Sequence, residues 1–214
     1  MMIELWGRAT SSNVQAVRWA LLELGLDHRR HDVGEGFGGL DTPEFLAMNP
    51  VGKIPVIRDG ALTLFESAAI LRYLASNYGD QGFWPAGAAA RATTDQWAEW
   101  AKQEIANRFT GPVFWRVVRT PAARRDAAAI AEALDIFETQ LAIAEARLAR
   151  HPWLVGDHMT PGDILLGHVL YRYFDIDIAR RPLPALRGYY DRLTARPAYR
   201  DAVMISYDSL RDTK

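Results

Sequence analysis

The stretch that decides the fold runs from 49 to 67. It reads Asn49-Pro50-Val51-Gly52-Lys53-Ile54-Pro55, then Val56-Ile57-Arg58-Asp59-Gly60-Ala61-Leu62-Thr63-Leu64, then Phe65-Glu66-Ser67. Pro55 stands at the entrance of a strand, where a missing N–H is tolerated. Asp59-Gly60 is a tight-turn pair between two apolar runs, so the spacing predicts a hairpin over 55–64. Glu66-Ser67 then opens an apolar helix from Ala68 to Tyr78. A proline-led strand, a hairpin and a Glu-Ser helix start together make a place to hold a small peptide by its backbone and its carboxylate.

Upstream, Ile3 to Trp6 reads as a short strand, Ser12 to Gly25 as a helix, His28 to Val33 as a second strand and Pro43 to Met48 as a helical turn. Val14, Val17, Trp19, Ala20, Leu21 and Leu24 give the first helix a broad apolar face, and Gly25 stops it. The order is βαβαββα. A β-α-β start implies a parallel pair with a right-handed crossover. Gly79 to Ala88 is rich in glycine and reads as a linker. Beyond it the chain is all helical. Ala89 to Val118 forms one long helical stretch, and Pro121 starts the next helix at its first turn. Ile130, Leu134, Phe137, Leu141, Ala144 and Leu148 form that helix's apolar stripe. Thr160-Pro161-Gly162-Asp163 is an acidic capping box before a helix over 164–173. Two shorter helices begin near Pro184 and Pro197. The expected division is 1–80 for an α/β domain and 89–214 for an all-helical one.

Bulk numbers narrow the function. With 214 residues and 49% hydrophobic content, a full core is available. A net charge of −1 argues against nucleic acid and anionic membrane as partners. The chain has no cysteine, which excludes disulfides, thiolate metal sites and a cysteine nucleophile. His151, His158 and His168 lack metal-ligand spacing, so no metal is expected. No signal peptide and no apolar run of roughly 20 residues is seen, so a cytoplasmic protein is expected. Lysine occurs only at 53, 102 and 214, against many arginines. That choice marks Lys53, inside the deciding stretch, as a site residue.

Four segments in this order and spacing resemble the cytosolic glutathione transferase family. They are Gly7-Arg8-Ala9-Thr10-Ser11-Ser12-Asn13, the run Asn49 to Pro55, Phe65-Glu66-Ser67-Ala68-Ala69-Ile70, and Thr160-Pro161-Gly162-Asp163. The resemblance covers essentially the whole chain and is nearest to bacterial serine-type members around the theta, phi and nu classes. It implies a thioredoxin-like N-terminal domain, an all-helical C-terminal domain and a homodimer. It also implies a detoxifying transferase that uses glutathione as co-substrate and a small apolar electrophile.

The residues fit that chemistry. A free thiol has a pKa of about 8.5, and its thiolate is the nucleophile. A hydroxyl donor and a helix N-terminus both favour the ionised form. By resemblance, Ser11 is that donor and Ser12 caps the helix; Asn13 is the alternative donor. Pro55 matches the family's cis-proline, which presents the N–H and C=O of Ile54 to the cysteinyl backbone like an added strand. Glu66 suits the γ-glutamyl ammonium, and Ser67 with the helix N–H groups suits its carboxylate. Lys53 is the candidate for the glycyl carboxylate. Relatives place a further cation or amide where this chain has Gly38-Gly39-Leu40-Asp41, and Arg8 is the candidate substitute. Thr160 and Asp163 are structural. The electrophile is expected between the domains, near Trp97, Trp100, Arg108, Phe109 and Trp115, with Phe37 as a mobile wall. Two other readings stay open: glutathione-dependent reduction of peroxides or disulfides, and a non-catalytic binding module. Phe65, Arg72, Tyr73 and the alanine-rich start of the long helix are the candidate dimer surface.

Overall fold

A computed structural model describes residues 2–213. Four short strands, β1 Ile3–Trp6, β2 His28–His31, β3 Val56–Asp59 and β4 Leu62–Phe65, form one sheet in the order β2-β1-β3-β4. β1 runs parallel to β2, with Ile3 opposite His28, and antiparallel to β3. β3 and β4 close the expected hairpin on the pair Asp59 and Leu62, with Gly60 at φ 59° in the turn. Ile3 and Leu5 are buried while Glu4 and Trp6 are half-buried, the alternation a strand with one covered face requires. Helices α1 Ser12–Glu23 and α3 Ser67–Tyr78 pack together, and α2 Pro43–Met48 bridges to the hairpin. The βαβαββα order and the parallel pair are as expected.

The rest of the chain is helical. A continuous run over 88–119, here α4, begins as the regular helix Ala88–Trp100. It then opens into wide π-type turns at Ala101–Ala106 and Thr110–Arg119. Periodicity alone predicts a uniform helix here. In the second wide stretch Pro112 brings no N–H and its ring displaces the turn before it. The next helix, α5 Ala127–Leu148, does not start at Pro121. Asp126 caps it instead, its carboxylate accepting from the Ala129 N–H at 2.9 Å. Pro121 precedes only the short turn Ala122–Arg124. The helix expected over 164–173 is broken into α6 Pro161–Gly167 and α7 Leu170–Asp175. α8 Pro184–Thr194 and α9 Pro197–Val203 complete the bundle.

Among the contacts that fasten the helical part to the sheet part, two lie where α1 meets α9. Trp19 of α1 meets Tyr199 of α9 edge-on at 4.8 Å between ring centroids. Beside it, Glu23 accepts from the Arg196 guanidinium at 2.7 and 2.5 Å. Asp163 anchors α6. Its buried carboxylate accepts from Leu154 N–H (2.9 Å), Thr160 N–H (2.9 Å), the Thr160 hydroxyl (3.0 Å) and the Tyr189 hydroxyl (3.2 Å). The expected capping box is therefore present, and its acid is also tied to two other segments.

Candidate active site

The site grows from the loop between β1 and α1. Gly7 ends the strand at φ 146°, and a Cβ there would lie 2.3 Å from Val14 of α1. Only glycine allows that approach. The loop is then fixed from inside: Ser11 N–H donates to the Arg8 carbonyl at 3.1 Å, and the Gln15 amide donates to the Ala9 carbonyl at 3.0 Å.

Ser11, not Ser12, is the residue that precedes the helix. Its backbone is extended, and its carbonyl accepts the Gln15 N–H at 2.9 Å. The Ser11 hydroxyl makes no capping bond. Ser12 is therefore not the expected cap; it is buried in the first turn of α1. The Ser11 hydroxyl stands at the positive end of α1 with no structural duty there.

Two residues on, Asn13 belongs to a cluster that crosses between the sheet part and α4. Lys102 Nζ donates to Asn13 Oδ1 at 2.8 Å and to Ser67 Oγ at 3.1 Å. The Ser67 hydroxyl lies 3.4 Å from the same Asn13 oxygen. Burial pushes the Lys102 ammonium below its ordinary pKa, while the carboxylates of Glu66 and Glu99 oppose the shift. Ser67 is the buried first residue of α3. Glu66 precedes it, exposed, with φ 69°. A non-glycine residue held in that left-handed region is strained, and such strain gathers at binding sites.

The Ile54–Pro55 peptide bond is cis, and Pro55 is buried. Among the described residues, neither the N–H nor the C=O of Ile54 takes a backbone partner. Lys53 is exposed; its carbonyl accepts from the Asn49 amide at 2.6 Å, and its ammonium lies outside the Asn13 cluster.

The residues expected to face an electrophile separate. Phe109 is sealed in the core, 5.1 Å from Phe137. Trp97 and Trp100 stack edge-on at 5.2 Å against the core. Arg108 is ion-paired with Glu104. Trp115 keeps 38% of its surface exposed, beneath the Arg119 guanidinium at 5.5 Å. Phe37, exposed as expected, lines a cleft of about 490 Å³ together with Arg8, Thr10 and Glu35.

Lys102 is the residue that sequence reasoning missed. Its rarity was visible, since lysine occurs only three times. The same argument was spent on Lys53, which sits in the motif but not in the cluster.

Comparison with known proteins decides the family. Residues 10–77 match the model of the glutathione S-transferase N-terminal domain, and residues 107–197 match that of the C-terminal domain. The chain belongs to the glutathione S-transferase family. It is 40% identical to glutathione S-transferase GstB of Escherichia coli over 95% of this chain and 99% of that one. Glutathione S-transferase 3 of Zea mays is 34% identical, over 94% and 93%. The structure also superposes on a theta class glutathione S-transferase of Xanthomonas axonopodis pv. citri with glutathione bound. The TM-score is 0.89 and the identity 45%, covering 95% of this chain and 98% of that one. The fold is accordingly the thioredoxin-like domain plus helical domain of the glutathione S-transferases.

Proposed function

We propose that this chain is a glutathione transferase that joins the glutathione sulfur to a small, largely apolar electrophile. The observation that carries the reading is the Ser11 hydroxyl, uncommitted at the N-terminus of α1 and two residues from the Asn13–Ser67–Lys102 cluster. Glutathione lies with its cysteinyl backbone on the open N–H and C=O of Ile54. Its γ-glutamyl carboxylate meets Ser67, the first N–H groups of α3 and the Lys102 ammonium. Its γ-glutamyl ammonium meets Glu66. The sulfur then stands at Ser11, whose O–H and helix terminus favour the thiolate. The thiolate attacks the electrophilic carbon, the C–S bond forms, and the leaving group departs with the electron pair.

Ser11 is preferred over Asn13 as the sulfur's donor because its hydroxyl stands at the N-terminus of α1 and makes no capping bond, whereas the Asn13 side chain is fastened through Oδ1 to Lys102 and Ser67 on the γ-glutamyl side. Lys53 remains the candidate for the glycyl carboxylate, reaching it from the exposed edge. The proposed division is 1–80 for glutathione and 89–214 for the electrophile, with Arg8 and Phe37 of the first part lining a cleft that the electrophile is proposed to enter.

A homodimer in the cytoplasm, acting in detoxification, completes the reading. Arg72 is ion-paired within the chain to Asp95 (2.5 Å) and Glu99 (2.6 Å), and the Tyr73 hydroxyl donates to Asp59 at 2.7 Å. Phe65 is left as the apolar part of the proposed interface. Sedimentation equilibrium giving a monomer at micromolar concentration would remove the dimer from the reading. Among the described residues no helix is long and apolar enough to cross a membrane.

Calorimetric titration with glutathione, followed by a pH scan of thiolate absorbance in the complex, tests the whole. One-to-one binding with the thiol ionised below its free pKa is expected. No binding at millimolar glutathione overturns the proposal.

A further inference from the structure

On the far side of the 7–13 loop from Lys102, three guanidinium groups converge from distant parts of the chain. Arg8 comes from the loop, Arg119 from the end of α4, and Arg172 from α7. Arg8 and Arg119 grip one carboxylate between them. Arg8 Nη2 donates to Glu35 Oε2 at 3.2 Å, and Arg119 Nη2 donates to Glu35 Oε1. Behind them, Arg172 donates to the Thr10 carbonyl at 2.7 Å and lies 4.5 Å from the face of Phe114. Arg172 is 3% exposed, and among the described residues neither its Nε nor the buried Nε of Arg8 has a partner. Arg30, at the rim, is already neutralised by Asp32. Two of these cations thus share one carboxylate, itself 45% exposed, while the buried Arg172 behind them bonds a backbone carbonyl.

Glu35 is a poor permanent counter-ion. It sits between Gly34 at φ 101° and Gly36 at φ 87°, on a loop that continues through Gly38 and Gly39. Desolvated guanidinium groups need anionic partners, and an arginine pair that already holds a carboxylate has the geometry for another. Arg8 and Glu35 line a cleft of about 490 Å³, the volume of a small-molecule site, with Ala9 and Thr10 of the Ser11 loop in its wall, and Arg119 stands behind Glu35. Phe37 and Leu210 supply apolar walls.

We infer that the electrophile carries a carboxylate on its apolar body, held by Arg8 and Arg119 with Arg172 behind them, and that Glu35 occupies the place of that carboxylate until the substrate displaces it. This deepens the proposed transferase reading and rests on it. For an arylmethyl halide the step balances simply. The thiol proton has gone to solvent, the thiolate forms a C–S bond at the methylene carbon, and the C–halogen bond breaks as halide leaves with its electron pair.

The test has two arms on the full chain. The first measures binding of 4-methylbenzoate and 4-methylbenzamide by calorimetry, without glutathione. The benzoate is expected to bind at least tenfold more tightly. Arg119→Met should abolish that preference, Arg119→Lys should keep part of it, and Glu35→Gln should raise benzoate affinity severalfold. Equal affinity for acid and amide overturns the inference, as does weaker benzoate binding in Glu35→Gln. The second arm compares kcat/KM for 4-(bromomethyl)benzoate and its methyl ester with glutathione. A ratio of ten or more favouring the acid is expected, falling at least tenfold in Arg119→Met. A ratio near one overturns the inference while leaving the transferase standing. Benzoate preference with no glutathione binding does the opposite. A tenfold loss of glutathione affinity in Arg119→Met, with the acid-to-ester ratio unmoved, reassigns the arginines to the glycyl carboxylate and also overturns it.

Discussion

On one side of the 7–13 loop stand Asn13, Ser67 and Lys102; on the other stand Arg8, Arg119 and Arg172. Both groups place cations from the helical part against a loop of the sheet part. The first holds one buried ammonium between two neutral oxygens at 2.8 and 3.1 Å, with Glu66 and Glu99 at longer range. The second holds two guanidinium groups on a single exposed carboxylate, with a third buried behind them on the Thr10 carbonyl. The ammonium is a compact charge suited to one carboxylate in a fixed peptide, whereas planar guanidinium forks can accept carboxylates on varied frames. On the proposed reading, the difference separates a side suited to one constant substrate from a side suited to a class.

Both sides stand on the same foundation, and removing it should erase the contrast altogether. Asp163→Ala leaves four donors without their shared acceptor in a fully buried place. We expect a stability loss of roughly 3–5 kcal/mol by denaturant titration, with glutathione and benzoate binding failing together. Loss of only one of them would show that the two sides are held independently.

Acid should loosen both sides together as well. Burial, with the nearby Lys102 charge, pushes His168 down to about 3 from an ordinary 6.5. Its Nδ1 bonds the Ile164 carbonyl at 3.2 Å and its buried Nε2 has no partner, so the neutral ring is the one that fits. Because the folded pKa is depressed, this stability is present above pH 6.5 and is lost as pH falls toward 3. Asp163 has the opposite sign. Burial raises it to about 6 from 3.8, so its contribution is present below 3.8 and lost as pH rises through 6. Asp163 is common to both proteins and cancels, so the difference in unfolding free energy between the wild type and His168→Leu should swing toward His168→Leu as pH falls from 6.5 to 4. A constant difference across that range would refute the assignment.

Finer changes sharpen the comparison one side at a time. Ser11→Ala should cut kcat by about 10²–10³ and move the activity profile to higher pH, as loss of a donor to a developing anion does. Its stability should stay within about 0.5 kcal/mol, because the hydroxyl caps nothing. A large fall in melting temperature would mean that the serine is structural after all. Lys102→Met should weaken glutathione by about 10–100-fold without lowering stability, since the buried ammonium carries a desolvation cost of its own. Unchanged glutathione affinity would take Lys102 out of the peptide side. The smallest effect expected is from the exposed Lys53→Ala, within about threefold in the glutathione KM.

The two sides also differ in how much of them the chain discloses when read as a string. The peptide side is mostly contiguous: Ile54-Pro55 and Glu66-Ser67 lie in one stretch, where turn and helix-start chemistry announce them. Lys102 belongs to a wide turn of α4, and nothing in its neighbours' periodicity signals where its side chain points. The arginine side is drawn from the first loop, the glycine loop, the end of α4 and α7, so no local rule could assemble it. Arg8 was visible as a charge near the site but was matched to the glycyl end of glutathione. Reading Ser12 as the cap places the helix start one residue late, and helix boundaries shift by a residue with local geometry. Pro121 misled for a simple reason: proline suits a first turn, but Asp126 supplies the acceptor that the orphan N–H groups need.

The helical run over 88–119 carries Lys102 in its first wide turn and ends its second at Arg119. The bearing of the electrophile's anchor relative to the peptide's anchor is therefore stored as the winding of a single rod. Adding or deleting one residue between them would swing Arg119 around the axis while Lys102 stayed in place. Such a change re-aims one substrate against the other without touching a side chain that contacts either.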